Sequence, residues 1–185
     1  MDRREALQLL MGGAVFQLAS PKLFASLRSA RMLLDMQTTL RTLNPQQNAT
    51  VTAMAETILP KTDTVGATEA GTSQFVDLIL TEWYTENERT IFLNGLADVD
   101  VRTQSTFGKK FVDCSTDQRG KILTDLGEQL TKDADAARNS APGYRGSPAK
   151  PNKNFYYMMR NLTLTAYYTS EVVSQQPAFQ VNPDR

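Results

Sequence analysis

Hydrophobic positions along the chain recur mainly at three- and four-residue intervals, the spacing that puts apolar side chains on one face of a helix. Val51, Met54, Ala55, Ile58 and Leu59 fit that pattern. Asn44 precedes them as a cap, with Pro45 at the first helical position, where its missing N–H costs nothing. Pro60 ends the run, because proline cannot continue the hydrogen-bond ladder. The stretch Pro60 to Gly71, PKTDTVGATEAG, is rich in residues whose side chains compete with helix, and it reads as a structured loop. A second helix is expected from Thr72 or Ser73, carrying Phe75, Leu78 and Ile79 and ending at Trp83-Tyr84. A third covers about Glu86 to Phe107, with Ile91, Phe92, Leu96 and Val99 on one face, and Gly95 inside it suggests a close helix approach. Ser115 or Thr116 caps a fourth, holding Ile122, Leu123, Leu126 and Leu130. From Asp133 to Lys153 the composition turns polar and reads as a long exposed loop. Phe155 to Tyr168 is apolar nearly all round, as befits a helix packed on several sides. The tail from Gln175, with Pro177 and Pro183, is not expected to be helical.

The fold class that follows is all-α: one small helical bundle with long loops, preceded by an N-terminal signal helix. The expected domains are a signal segment and linker over 1–30, a helical domain over 40–176 and an irregular tail over 177–185. Nothing repeats at a fixed period, which excludes a solenoid.

The first residues follow another logic. Arg3-Arg4 lies ahead of a mildly apolar stretch, Leu7 to Ala19, interrupted by Gly12 and Gly13 and followed by Lys22. That is the layout of a charged n-region and an h-region. The h-region contains Gln8 and Gln17 and is too short and polar to span a bilayer, which needs about 20 apolar residues. Arg3-Arg4-Glu5-Ala6-Leu7-Gln8 resembles the twin-arginine export motif, with Asp2, Ala6 and Gln8 departing from its usual Ser/Thr, Phe and Lys positions. Leu23-Phe24-Ala25 is a poor A-x-A-like cleavage site, so both a cleaved and a retained segment stay open.

Composition narrows the chemistry. Lys+Arg 20 balances Asp+Glu 20, leaving no overall basic excess of the kind that nucleic-acid binding calls for. With His 0 and Cys 1, neither a Ser-His-Asp nor a Cys-His arrangement can be built, and the usual zinc sites fall away. No G-x-G-x-x-G fingerprint is present for a stand-alone dinucleotide enzyme, and one cysteine cannot supply an iron–sulfur cluster. No catalytic, cofactor-binding or metal-binding residue is therefore expected in this chain. Asp63 and Glu69 lack the dense oxygen spacing of a calcium loop and are read as turn residues. Cys114 is expected to be a buried thiol, with pairing to another chain as the alternative. Trp83 and Tyr84 admit two readings, core residues with a polar edge outside or interface anchors.

The stretches Leu59-Pro60-Lys61-Thr62-Asp63-Thr64-Val65-Gly66-Ala67, Ala70-Gly71, Phe75-Val76-Asp77, Glu82-Trp83-Tyr84, Phe92-Leu93-Asn94-Gly95-Leu96 and Tyr168-Thr169-Ser170-Glu171 resemble the small third subunit of gluconate 2-dehydrogenase and related sugar dehydrogenases. The resemblance runs in order from Leu43 to Glu171. It implies a noncatalytic subunit of a periplasmic complex, associated with the inner membrane through that complex. The implied partners are an FAD-carrying catalytic subunit of the glucose-methanol-choline type, a multihaem cytochrome c and the twin-arginine translocase. An iron–sulfur cluster on the catalytic partner is a second candidate cofactor. Arg3 and Arg4 would then be an export signal used by a partner that crosses the membrane folded. Trp83, Tyr84, Tyr167 and Tyr168 are the candidate partner-binding rings. The alternative is a membrane-attached helical scaffold without a dehydrogenase partner, anchored through Leu7 to Phe24.

Overall fold

The computed structural model describes residues 39–140 and 154–175, and these are helical, with no strand among them. The elements are α1 (Pro45–Ile58), α2 (Thr72–Glu82), α3 (Glu86–Phe107), a 3₁₀ turn (Phe111–Asp113), α4 (Thr116–Ser140), α5 (Phe155–Tyr168) and the single turn α6 (Glu171–Ser174). Arg3, Arg4 and the whole predicted signal segment lie outside the described residues, as does the tail beyond Gln175.

The helix starts are written locally. Asn44 Oδ1 accepts from the Gln47 N–H at 2.8 Å while Gln47 Oε1 accepts from the Asn44 N–H at 3.0 Å. Thr85 with Glu88, and Ser115 with Gln118, repeat this reciprocal capping at α3 and α4. Each pair satisfies two backbone donors that the first turn leaves without intrahelical partners. Asn154 Oδ1 accepts from the N–H groups of Tyr156 and Tyr157 and starts α5. Helix α2 has no side-chain cap: Gly71 precedes it with φ 69°, left-handed backbone that a glycine adopts without steric cost. Gly108, at φ 70°, closes α3 in the same region.

One main core holds these helices together. Helix α5 is its centre, packing against α1, α2, α3 and α4. Along α5 only Arg160 and Tyr168 are exposed, which matches its pattern of apolar residues on all sides. The fully buried side chains include Phe75, Phe92, Phe111, Met54, Ile79 and Met159, and burying a side chain of this size stabilises by roughly 1.5–3 kcal/mol. The α3–α5 contact is close because Gly95 has no Cβ: one built there would lie 2.0 Å from Phe155 Cγ. Phe155 uses the space to meet Phe92 edge-on, with centroids 5.3 Å apart. Cys114 is buried, its Sγ 3.4 Å from the Lys110 carbonyl that accepts its weak hydrogen bond.

Three features depart from the sequence expectations. Helix α4 continues to Ser140, into the first part of the stretch Asp133 to Lys153 that composition assigned to a loop; residues 141–153 of that stretch lie outside the described residues. The segment Asp133-Ala134-Asp135-Ala136-Ala137-Arg138 contains three alanines, the residue with the highest helix propensity, so an established helix extends into it without needing an apolar face. Helix α2 is buried almost all round, from Phe75 through Leu80 and including Asp77, where an amphipathic helix was expected. The turn α6 follows α5 at once, a short helical element that the apolar spacing did not reveal.

Candidate docking surface

Two places on the bundle bring together the residues that the sequence singled out. The first is the loop between α1 and α2. Glu56, in the last turn of α1, holds this loop: its carboxylate accepts the Lys61 N–H at 2.9 Å, the Thr68 N–H at 2.9 Å and the Thr68 hydroxyl at 2.6 Å. Gly66 lies against the same carboxylate, and a Cβ there would come within 2.6 Å of Glu56 Oε1 and 2.8 Å of the Lys61 nitrogen. The Ala67 N–H donates to the Leu59 carbonyl at 3.0 Å and closes the loop on the end of α1. Partial burial acts to raise the Glu56 pKa, but the hydrogen bonds from Thr68 and Lys61 and the Lys61 charge outweigh it. The group is held below its ordinary value. Glu69 pairs with Lys61, an exposed ion pair that raises the Lys61 pKa. Asp63 is exposed, and among the described residues no group of three or more acidic, His or Cys side chains is placed to hold a metal.

The second place is the corner between α5 and α6. Tyr167 is buried with Ala70 and Val173 in a small cluster apart from the main core, packed against Leu59 and Val65 of the loop. The loop and the corner therefore form one continuous feature, with Glu56 organising its inner side. Tyr168 stands beside Tyr167 in an edge-to-face pair, centroids 5.4 Å apart, and is 44% exposed. Val172, one turn further on, is 50% exposed. Between them Ser170 Oγ is buried and has no hydrogen-bond partner among the described residues.

The four rings proposed from the sequence do not share one environment. Tyr84 is 8% exposed and belongs to the main core, where burial pushes its phenol far above the usual range. Trp83 is half-buried against the same core. Tyr167 is buried in the satellite cluster, and only Tyr168 is an exposed ring. Val172 was missed. The signal for it was present in Ser170-Glu171, a serine at the N-cap position followed by an acidic first-turn residue, but the serine hydroxyl makes no cap bond and a one-turn helix offers no periodicity to detect.

The sequence profile of the family described as Gluconate 2-dehydrogenase subunit 3 matches residues 45–182, about three quarters of the chain. The chain belongs to that family. The match covers every helix of the bundle, the Glu56-held loop and the α5–α6 corner. The family is described as a dehydrogenase subunit, so its members work as parts of a dehydrogenase complex. Comparisons with curated proteins and with solved structures return no significant match. Among the described residues no helix is long and apolar enough to cross a membrane.

Proposed function

We propose that this chain is the noncatalytic small subunit of an FAD-dependent sugar dehydrogenase complex in the periplasm, and that it carries a flavoprotein partner of the glucose-methanol-choline type through the twin-arginine route. The observation that carries this reading is the family match over residues 45–182. Two features of the sequence support it. Arg3-Arg4 heads a weak h-region of the kind a receptor-read address uses, and with no histidine and one cysteine the chain lacks the side chains from which most hydrolytic, redox and metal sites are made. The flavin, any iron–sulfur cluster and the sugar site are assigned to the partner, and a multihaem cytochrome c is the expected third member.

The α5–α6 corner is the part of the bundle best suited to meet the catalytic subunit. Tyr168 and Val172 present apolar area next to polar edges, and a tyrosine contributes most to binding when a partner covers its ring and leaves the hydroxyl paired. Trp83 is the second candidate because it is only half-buried against the main core. Tyr84 and Tyr167 would act by holding their neighbours in place.

Purification from the native host tests the whole reading. The expected result is a stable complex with a flavin-containing chain, and an Arg3→Lys, Arg4→Lys double variant that leaves this complex intact in the cytoplasm, because lysine does not replace the paired guanidinium groups. Full dehydrogenase activity in the periplasm of the double variant would refute the export role. Recovery of the chain without any flavoprotein would refute the subunit role.

A further inference from the structure

Asp77 is a carboxylate on a helix otherwise filled with Phe75, Val76, Leu78, Ile79 and Leu80, and it is only 5% exposed. Among the described residues no Lys or Arg forms an ion pair with it. Instead three consecutive backbone N–H groups, from Arg41 at 2.9 Å, Thr42 at 3.0 Å and Leu43 at 2.7 Å, donate to its two oxygens. These donors lie more than thirty residues upstream, in a segment with no helical ladder of its own. Further contacts continue along the same helix. The hydroxyls of Thr42 and Thr81 hydrogen-bond at 2.7 Å, the Arg41 guanidinium pairs with Glu82, and the Leu43 side chain is buried in the main core. Thr81 lies one turn beyond Asp77 and Glu82 follows it, so the C-terminal half of α2 meets residues 41–43 over its last turn.

We infer that residues 41–43 form a strap, latched by Asp77, which ties the chain ahead of α1 to α2 and detaches as a unit while the bundle stays folded. The energetics favour a discrete latch. Hydrogen bonds to a charged acceptor are stronger than neutral ones, and here one buried acceptor holds three of them, so opening exposes all three donors together. The rest of the bundle makes none of these bonds, since α1 starts from its own Asn44–Gln47 capping pair. Opening withdraws Leu43 from the main core as well as breaking the latch, but it leaves the helical ladders and the remaining core residues in place, which makes it a local opening below the cost of global unfolding. Asp77 is a positioning residue for the upstream chain. It holds the strap against α2, the helix with the largest share of buried residues among those described.

Limited proteolysis of the full-length chain with trypsin, read by mass spectrometry, tests the latch. The Arg41–Thr42 bond lies inside the strap, and the Lys61–Thr62 bond, in the Glu56-held loop, is the internal control. Asp77→Asn keeps the shape but points an N–H₂ group at N–H donors. Cleavage after Arg41 is expected to rise about tenfold, while cleavage after Lys61 changes by less than about twofold and the helical circular dichroism is retained. An unchanged rate after Arg41, or equal acceleration at both bonds, would overturn the inference. Should Asp77→Asn lose its helical signal, Thr81→Val removes one strap contact without touching the carboxylate. It must raise cleavage after Arg41 selectively, by about threefold, and no selective rise there refutes the strap equally.

Discussion

Tyr84 and Tyr168 are the same side chain at the C-terminal ends of two helices, each next to another large ring, yet the fold uses them in opposite ways. Tyr84 follows α2, whose surroundings are filled on all sides, and it closes the main core. Tyr168 ends α5 beside the satellite cluster of Ala70, Tyr167 and Val173, and the next turn exposes Val172. The difference lies in how many elements converge at each helix end. It teaches that an aromatic pair at a helix terminus does not by itself mark an interface; the accessible ring with an accessible apolar neighbour is the informative one.

The largest effect expected from breaking the comparison lies on the core side. Tyr84→Ala should cost about 3 kcal/mol, the usual range for truncating a buried large ring, and a thermal melt of the isolated chain reads it. A loss near zero would show that Tyr84 is not a core residue and would restore the symmetry of the two pairs. Gly95→Ala should cost about 2 kcal/mol, because the added methyl group meets Phe155 and the α3–α5 pair cannot separate without opening the core. Phe155→Ala in the same chain should relieve the clash, so that the double variant is more stable than the two single losses predict; simple additivity would mean that the two positions do not meet.

On the satellite side the expected effects are smaller and depend on pH. The Glu56 carboxylate has a folded-state pKa below its ordinary value of 4.5. Its contribution to stability is therefore complete above that value and is lost as pH falls through the lower, folded value. Wild type should lose stability over this acid window, while Glu56→Gln should start less stable near neutral pH and lose less on acidification. Parallel pH profiles for the two proteins would show that Glu56 does not hold the loop. The smallest effect on the free chain is expected for Tyr168→Ala, below about 0.5 kcal/mol, as is usual for an exposed side chain. Its effect should appear in affinity for the proposed catalytic subunit, with a loss on the order of tenfold or more if it is a central anchor. Equal proportional losses of stability and affinity would end the case for this corner as the docking site.

Helix identity and most boundaries were legible in the sequence because they are set within a few residues of chain. Asn44 with Pro45 and Gln47, Thr85 with Glu88, and Ser115 with Gln118 are reciprocal caps that need no tertiary partner. The three-and-four spacing of Val51, Met54 and Ala55, or of Phe92, Leu96 and Val99, selects a buried face by itself. Gly95 was legible as a close approach because glycine inside a long helix is unfavourable unless space requires it. What only the tertiary structure decided was which faces meet. Sequence could not tell that Asp77 sits inside and takes three backbone donors from residues 41–43, that Glu56 organises the loop down to Thr68, or that Tyr84 is buried and Tyr168 exposed. Each of these depends on groups 12 or more residues apart in the chain. A carboxylate or a phenol has the same local signal whether its partner is water, a distant backbone or another helix, and packing alone makes that choice.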